Sequence, residues 1–183
     1  MMWKGQIRLC ALVSVLLLSG CAGISSGADY LAGMRLDQYQ TFDWGGGDSL
    51  PVGDPRLDAN PFFDARVRAA VELELAAKGL RRVTASPDLL VHYHASIRQR
   101  VDVVRTDEAR GYSSPAMMLG SEQVVEFDEG TLIVDVVEPK GKVVVWRGWS
   151  QTDVGALLDD PRAMEKRINA SVQLMMKRFP RTP

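Results

Sequence analysis

The sequence predicts an α+β fold: a two-layer sandwich, with a mainly antiparallel sheet and two helices packed on one of its faces. Three patterns predict it. Residues 89–103 alternate apolar and polar side chains, residues 131–154 have the pattern of a β-hairpin, and two segments carry clear helix start signals. Helices and antiparallel strands in this order favour a sheet with one covered face and one face in water.

The first predicted helix spans residues 60–78. Asn60 is a good N-cap, and Pro61 suits the first helical position because its missing N–H has no helical partner there. Gly79 is a natural stop at the C-terminus. We expect one stripe of this helix to pack on the sheet, formed by Phe62, Ala65, Ala69, Leu73, Ala76 and Leu80.

The last predicted helix has the same start signals, with Asp160 as cap and Pro161 at the first position. It ends before Pro180. Its apolar residues recur at intervals of four and three, which is typical of an amphipathic helix. They are Met164, Ile168, Val172, Met175 and Phe179.

The predicted strands cover residues 36–44, 89–103, 131–138 and 142–154, and the last two join through Pro139-Lys140-Gly141. In residues 89–103 the apolar side chains share one face, and His92, His94, Ser96 and Arg98 share the other. Residues 45–55 and 106–121 are predicted loops.

The N-terminal segment has the plan of a secretory signal peptide. Lys4 and Arg8 precede an apolar run over residues 9–18. This run is shorter than the roughly 20 residues that span a membrane. Leu18-Ser19-Gly20-Cys21 then resembles the lipobox of bacterial lipoproteins, which implies that residues 1–20 are removed and that Cys21 is lipidated.

Lipidation predicts where the protein is located. Two or more acyl chains anchor a protein stably, whereas one binds only marginally. Residue 22 is Ala and not the Asp that resembles an inner-membrane retention signal, so we expect the periplasmic face of the outer membrane. The predicted organisation is a removed signal (1–20), a lipidated N-terminus with a short flexible tether (21–28) and one domain (29–183).

Composition excludes several classes of site. The net charge of −1 becomes about −3 without the signal, which gives no basic footprint for nucleic acid. Cys10 leaves with the signal and Cys21 is modified, so no thiol remains for a disulfide, a cysteine nucleophile or a cysteine metal site. We expect no cofactor, because the sequence has no glycine-rich phosphate loop, serine elbow or metalloprotease helix.

Several blocks resemble the lipoproteins of domain-of-unknown-function family 4136. The blocks are Thr41-Phe42-Asp43-Trp44, Asn60-Pro61 with its helix, Lys78-Gly79-Leu80, residues 87–94, residues 130–135, Trp146-Arg147-Gly148 and Phe179-Pro180. The resemblance covers nearly the whole mature chain. It implies an outer-membrane or periplasmic α+β lipoprotein, and it brings no catalytic residues.

Two polar constellations carry alternative interpretations. His92 and His94 lie on one side of a strand, as two metal ligands would, but zinc needs at least three protein ligands; otherwise they belong to a solvated sheet face. Asp135 lies among apolar residues, and a three-residue loop places it diagonal to Arg147. It is either an acid–base carboxylate or one half of an Asp–Arg pair that fixes the register.

Two further segments are candidates for contact with a partner. Arg98, Arg100 and Arg105 form either a site for nucleic acid or phospholipid headgroups, or a mixed-charge strand face. Residues 111–120 contain Met117, Met118 and Leu119, which suit either contact with a partner or membrane, or packing back onto the domain.

The sequence therefore predicts a non-enzymatic binding or scaffold module of the cell envelope, anchored to the outer membrane by lipid. Its partner is an envelope protein or ligand of unknown identity. The alternative is a periplasmic binder that holds a small or lipidic ligand between helices and sheet, and a hydrolase is the third possibility.

Overall fold

The computed structural model describes residues 23–45, 54–105 and 122–180. In these residues six strands form one mixed sheet: β1 (Ile24–Tyr30), β2 (Thr41–Trp44), β3 (Arg81–Arg82), β4 (Leu89–Arg105), β5 (Glu122–Glu138) and β6 (Val143–Asp153). The α-helices are α1 (Pro55–Asp58), α2 (Phe63–Ala77) and α3 (Pro161–Met176). The fold is therefore of the α+β class, as the sequence predicts.

The strand order is β1-β6-β5-β4-β2-β3. The pairings of β6 with β5 and β5 with β4 are antiparallel, as the sequence predicts, and β1, which the sequence does not predict, pairs antiparallel with β6. Strand β2 is instead parallel to both β4 and β3. The reason is the connection: the chain leaves β2, passes through α2 and re-enters the sheet from the same end, and such a crossover joins parallel strands.

The predicted flexible tether contains a strand. Ile24–Tyr30 pairs along its full length with β6, from Ile24 opposite Thr152 to Tyr30 opposite Trp146. The small residues of this segment predict a flexible tether. At Gly27, however, the strand itself requires a small residue. Gly27 is buried beneath the indole of Trp149, and a Cβ at this position would overlap the ring.

The helix predicted at residues 60–78 exists as α2, but it begins at Phe63, after the predicted start at Asn60 and Pro61, and has no side-chain cap. Of its predicted core stripe, Leu80 is buried and the other five residues are not. Phe62 and Leu73 are 63% and 70% exposed, and Ala65, Ala69 and Ala76 are exposed too. The buried residues are Phe63, Val67, Ala70, Val71 and Leu75. Two apolar stripes run along this helix, and the one with the larger aliphatic side chains is buried because it removes more apolar area from water.

The segment at residues 36–44 is a strand only in its second half. Leu36–Gln38 forms a 3-10 turn whose Leu36 is buried, and β2 covers Thr41–Trp44. Strand β5 begins nine residues before its predicted start, and β4 continues two residues beyond its predicted end. Both therefore run past the end of β6, where residues 98–105 pair with residues 122–129.

The last helix confirms its sequence signals. Asp160 caps α3 by accepting hydrogen bonds from the backbone N–H groups of Arg162 and Ala163, each at 3.0 Å. All five residues of the predicted stripe are buried. They join α2 and one face of the sheet in a single cluster around Val134 and Trp146, which are completely buried.

Candidate functional site: the polar sheet face

Strands β1, β6, β5 and β4 present a row of polar positions, here called the polar sheet face. By register and alternation, it consists of Ser25, Gly27 and Asp29 on β1, Arg147, Trp149 and Gln151 on β6, Thr131, Ile133 and Asp135 on β5, and His92, His94 and Ser96 on β4. Most of these side chains are half-buried or exposed. The alternation seen in the sequence of β4 therefore extends across four strands.

Asp135 and Arg147 form the centre of this face. Both carboxylate oxygens of Asp135 accept hydrogen bonds from Arg147, from Nε at 2.6 Å and from Nη2 at 2.7 Å. The Asp135 side chain is 6% exposed, whereas that of Arg147 is 50% exposed. The bound carboxylate raises the pKa of Arg147 above its usual range, first through these hydrogen bonds. The arrangement supports the ion-pair interpretation of Asp135, because both oxygens of the carboxylate are engaged.

The two residues lie directly opposite each other, which corrects the predicted diagonal placement. The turn between β5 and β6 contains residues 139–142, and a bulge at Val136 and Val137 shifts the register beyond it. A bulge inserts one extra residue into one strand of a pair, so the opposing residue changes. Here the shift brings Arg147 across from Asp135.

The two histidines have different neighbours. The Nε2 atom of His94 lies 3.8 Å from Oδ2 of Asp135. The ring of His92 occupies the space above Gly45, where a Cβ would overlap it. In the part of the chain that the structure describes, no three His, Cys, Asp or Glu side chains group as metal ligands. Metal binding at His92 and His94 therefore has no third ligand among these residues.

Trp149 is a member of this face that the sequence analysis did not single out. Its half-buried indole lies against β1 over Gly27 and next to the Asp135–Arg147 pair. The signal that would have identified it is the alternation within β6, where Trp146 and Trp149 fall on opposite faces. Trp146 is completely buried and meets the ring of Phe179 edge-on, with the ring centroids 5.2 Å apart.

A second charged cluster lies where β4 and β5 run past β6. Glu129, whose side chain is 8% exposed, accepts hydrogen bonds from Arg98 Nη2 at 2.9 Å and Arg100 Nη1 at 3.1 Å. These arginines, Arg98 first, lower the pKa of Glu129 below its usual value. The predicted basic stretch is thus a carboxylate-centred cluster at Arg98 and Arg100. The side chain of Arg105 lies outside the described part.

Three other predicted features fall outside the described residues: the lipidation site Cys21, the removed signal (1–20) and the loop residues Met117, Met118 and Leu119. Within the described segments, none of the helices has the length and apolar character needed to cross a membrane.

A small pocket lies between α3 and the core side of the sheet, lined by residues that include Ile97, Leu132, Met164 and Ile168. Its volume is about 50 Å³. An engineered apolar cavity that holds benzene has about 150 Å³. The volume of this pocket is therefore about a third of the volume of that cavity.

The model of a family described as a domain of unknown function, DUF4136, matches residues 27–181. The chain belongs to this family. The DUF4136 match covers every strand and helix of the domain except the first three residues of β1, and it confirms the resemblance found in the sequence blocks. No curated protein matches the chain.

Solved structures are similar to this chain at low sequence identity, and the one with a TM-score above 0.5 shares its fold. A PDZ domain protein from Parabacteroides distasonis is 14% identical with a TM-score of 0.53; the match covers 96% of this chain and 40% of that one, so the DUF4136 chain spans less than half of its length. A DUF4136 family protein from Bacteroides thetaiotaomicron is 14% identical, with coverages of 83% and 95% and a TM-score of 0.48. The PelC dodecamer from Paraburkholderia phytofirmans is 7% identical, with coverages of 87% and 99% and a TM-score of 0.45.

Proposed function

We propose that this DUF4136 protein is a lipoprotein anchored to the periplasmic face of the outer membrane, and that it acts as a non-enzymatic binding or scaffold module of the cell envelope. In this proposal the domain is a two-layer sandwich. The long helices α2 and α3 cover the apolar side of the sheet, and the polar sheet face is the surface that meets a partner.

The observation that carries the proposal is the bidentate pair of Asp135 and Arg147 in the middle of that face. Because each oxygen of the carboxylate already accepts a hydrogen bond, the pair favours a rigid recognition surface over a site of proton transfer. The exposed half of Arg147 still offers donors to a partner. Trp149 adds an aromatic surface beside it, and aromatic and arginine side chains are enriched at interfaces.

Anchoring at Cys21 is supported by the lipobox resemblance and by the position of β1. The strand begins at Ile24, three residues after the cysteine. A lipid at Cys21 would therefore hold the sheet close to the bilayer without a long linker. The hypothesis of a hydrolase receives no support from the geometry of Asp135.

The binding proposal is tested by photocrosslinking in intact cells. A photoreactive amino acid replaces Ser96 or Gln151 on the polar sheet face, and Lys166 on the exposed side of α3 is the matched control. We expect one shared partner to be captured from Ser96 and Gln151 and not from Lys166. Capture should fall when Arg147→Ala is combined with the Ser96 probe. Equal capture from all three positions would refute the role of this face.

The anchoring proposal is tested separately. Cys21→Ser should move the protein from the outer-membrane fraction to the soluble periplasmic fraction without changing its melting temperature, because the substitution changes none of the residues in the described strands and helices. The wild type and a Ser25→Ala variant, changed on the exposed side of β1, should both stay with the membrane. Sedimentation of the wild type with inner-membrane markers would contradict the sorting hypothesis.

A further inference from the structure

Strand β5 is longer than the strand that pairs with its outer side. Strand β6 pairs with it as far as Glu129, and the N–H of Val154 then donates a hydrogen bond to the carbonyl of Asp128 at 2.8 Å. The chain next forms the 3-10 turn Gly155–Leu157. In the part of the chain that the structure describes, residues 122–128 of β5 therefore pair with β4 on one side and with no strand on the other. This unpaired side is here called the β5 free edge.

The hydrogen bond at Asp128 shows which backbone groups point to the β5 free edge. In an antiparallel pair of strands, the N–H and C=O groups of successive residues point alternately to the two sides of the strand. The carbonyl of Asp128 points to the β6 side, so the backbone groups of Glu122, Val124 and Glu126 point to that side as well. A row of such groups at a sheet edge is a template for another strand. Seven residues of an added strand would cover about 24 Å of it.

The segment that carries the β5 free edge is acidic. Residues 98–105 and 122–129 contain five carboxylates and three guanidinium groups. On the side of the polar sheet face, Glu129 accepts hydrogen bonds from Arg98 and Arg100. The excess of negative charge favours a partner segment that is basic, because interfaces place opposite charges against each other and exclude partners of like charge.

Glu126 and Asp128 lie on the opposite side of the sheet, next to the β5 free edge. Glu126 is exposed and has no ion pair with any of the described residues. The Oδ2 atom of Asp128 lies 3.1 Å from Nη1 of Arg56, whereas its buried Oδ1 receives no hydrogen bond from the described residues. Side chains directly opposite each other on adjacent strands have Cβ atoms about 4.5–5.5 Å apart. A basic side chain on an added strand would therefore lie within reach of these carboxylates.

The next side chain of an added strand would point to the other side of the sheet, beside Phe127. The half-buried ring of Phe127 lines an open cleft of about 480 Å³ together with Gly23 and Ile24. The ring and the side chain of Ile24 give this cleft apolar surface, so an apolar side chain gains most by entering it. The two sides of the edge therefore favour a partner segment in which basic and apolar residues alternate.

We propose that the β5 free edge binds an extended segment of a partner protein by strand addition, and that basic and apolar residues alternate in this segment. Main-chain hydrogen bonds along the edge supply the affinity, and the carboxylates and the cleft select the side chains. The inference goes beyond the proposed function, because it depends neither on a lipid at Cys21 nor on the Asp135–Arg147 pair.

The probe is a seven-residue peptide of alternating lysine and valine with blocked ends. Hydrogen exchange at single backbone amides is measured with and without the peptide, on the protein purified as cells produce it. We expect exchange at Val124 and Glu126 to slow by at least roughly tenfold, because their N–H groups point to the β5 free edge. Exchange at Val125 and Phe127 should change by less than about twofold, because their N–H groups already point to β4.

Two variants separate the main-chain contribution from the charge. Val124→Pro removes an N–H of the β5 free edge and should abolish the slowing at Glu126. Ser26→Pro is the matched control, because it removes an N–H that points away from β6 on edge strand β1, and it should leave peptide binding unchanged. Glu126→Lys keeps the backbone and should weaken binding by at least roughly threefold.

Two further peptides test the wild-type protein directly. One carries N-methyl groups on alternate residues, which keep its charge and remove the donors along one edge, and the other has glutamate in place of lysine. Equal slowing by either of them, or no slowing by the lysine–valine peptide at millimolar concentration, would overturn the proposal. Protection of Val124 and Glu126 equal to that of Val125 and Phe127 without peptide would also overturn it, since another part of this chain would then cover the edge.

Discussion

The indole ring of Trp149 lies over Gly27 of the neighbouring strand, in the space where any other residue would place its Cβ. The two residues are partners in the β1–β6 register, so the glycine lets the edge strand pair beneath a large aromatic side chain. The contact between Gly27 and Trp149 therefore affects both the pairing of edge strand β1 and the position of an aromatic side chain on the polar sheet face.

Gly27→Ala should destabilise the domain by about 1–3 kcal/mol, because the added methyl overlaps the ring and forces either Trp149 or β1 to shift. Chemical denaturation measures the change in the free energy of unfolding, and hydrogen exchange should show faster exchange for the β1 amides. Ser25→Ala, on the same strand and face, is the control and should change little. Equal stability of Gly27→Ala and wild type would show that the ring moves aside freely.

The Asp135–Arg147 pair should show coupling in a double-mutant cycle. Contacting charged residues in one hydrogen-bonded pair typically couple by about 0.5–3 kcal/mol. Arg147→Ala in the wild type should lower the free energy of unfolding more than Asp135→Ala does in the Arg147→Ala background. The first substitution leaves a buried carboxylate without its partner, whereas the second removes that carboxylate. Additive effects of the two substitutions on the free energy of unfolding would argue against a structural role for the pair.

Asp88 should make the domain lose stability in acid. Its Oδ2 accepts hydrogen bonds from the Gln40 N–H at 2.9 Å and from the N–H and hydroxyl of Thr41 at 2.9 and 2.8 Å, which tie the starts of β2 and β4 together. These bonds, the Gln40 N–H first, lower the pKa of Asp88 in the folded state. A lowered pKa adds stability above the unfolded value of about 3.9, and this stability is lost as the pH falls through the folded value.

We therefore compare the free energy of unfolding of the wild type with that of Asp88→Asn. The difference between the two should be constant above about pH 5 and should shrink below about pH 4. Denaturation curves over this range measure it. Thr41→Val, which removes one donor, should weaken the same pH dependence. A difference that does not change with pH would show that the ionised form of Asp88 is not favoured by folding.

Truncating a side chain should reduce stability on one apolar stripe of α2 and leave it almost unchanged on the other. Leu75→Ala should cost about 2–5 kcal/mol because Leu75 is completely buried. Leu73→Ala should change stability by less than about 0.5 kcal/mol because its side chain is 70% exposed. Thermal melts of the two variants give the comparison, and a large loss at Leu73 would indicate that a partner or a second copy covers this stripe in solution.

An element could be predicted from the sequence where several of its local sequence features indicate the same structure. Strand β4 combines alternation with β-branched residues, and α3 combines a cap, a proline and one amphipathic stripe. In α2 the C-terminal end before Gly79 was also predictable, but the start at Phe63 and the buried face were not. The helix carries two apolar stripes, and only packing against Trp44, the sheet and α3 decides between them.

The features missed by the sequence analysis depend on partners far along the chain. Gly27 favours a loop by composition, and only the pairing with β6 and the ring of Trp149 make it a strand residue. The bulge at Val136 and Val137 likewise changes which residue faces Asp135. The Asp–Arg pair was predictable from charge and spacing, but its direct geometry was not, because register depends on the bulge.

Strand β1 also limits the order in which the domain can fold. It is the first described element of the chain, yet among the described strands it pairs with β6, the last strand of the sheet in chain order. Closing so long a loop is entropically unfavourable and slow, so the β1–β6 edge should form late. A chain truncated before Val143 would leave β1 without its described partner strand, and an intact β6 is therefore a condition for ordering residues 24–30.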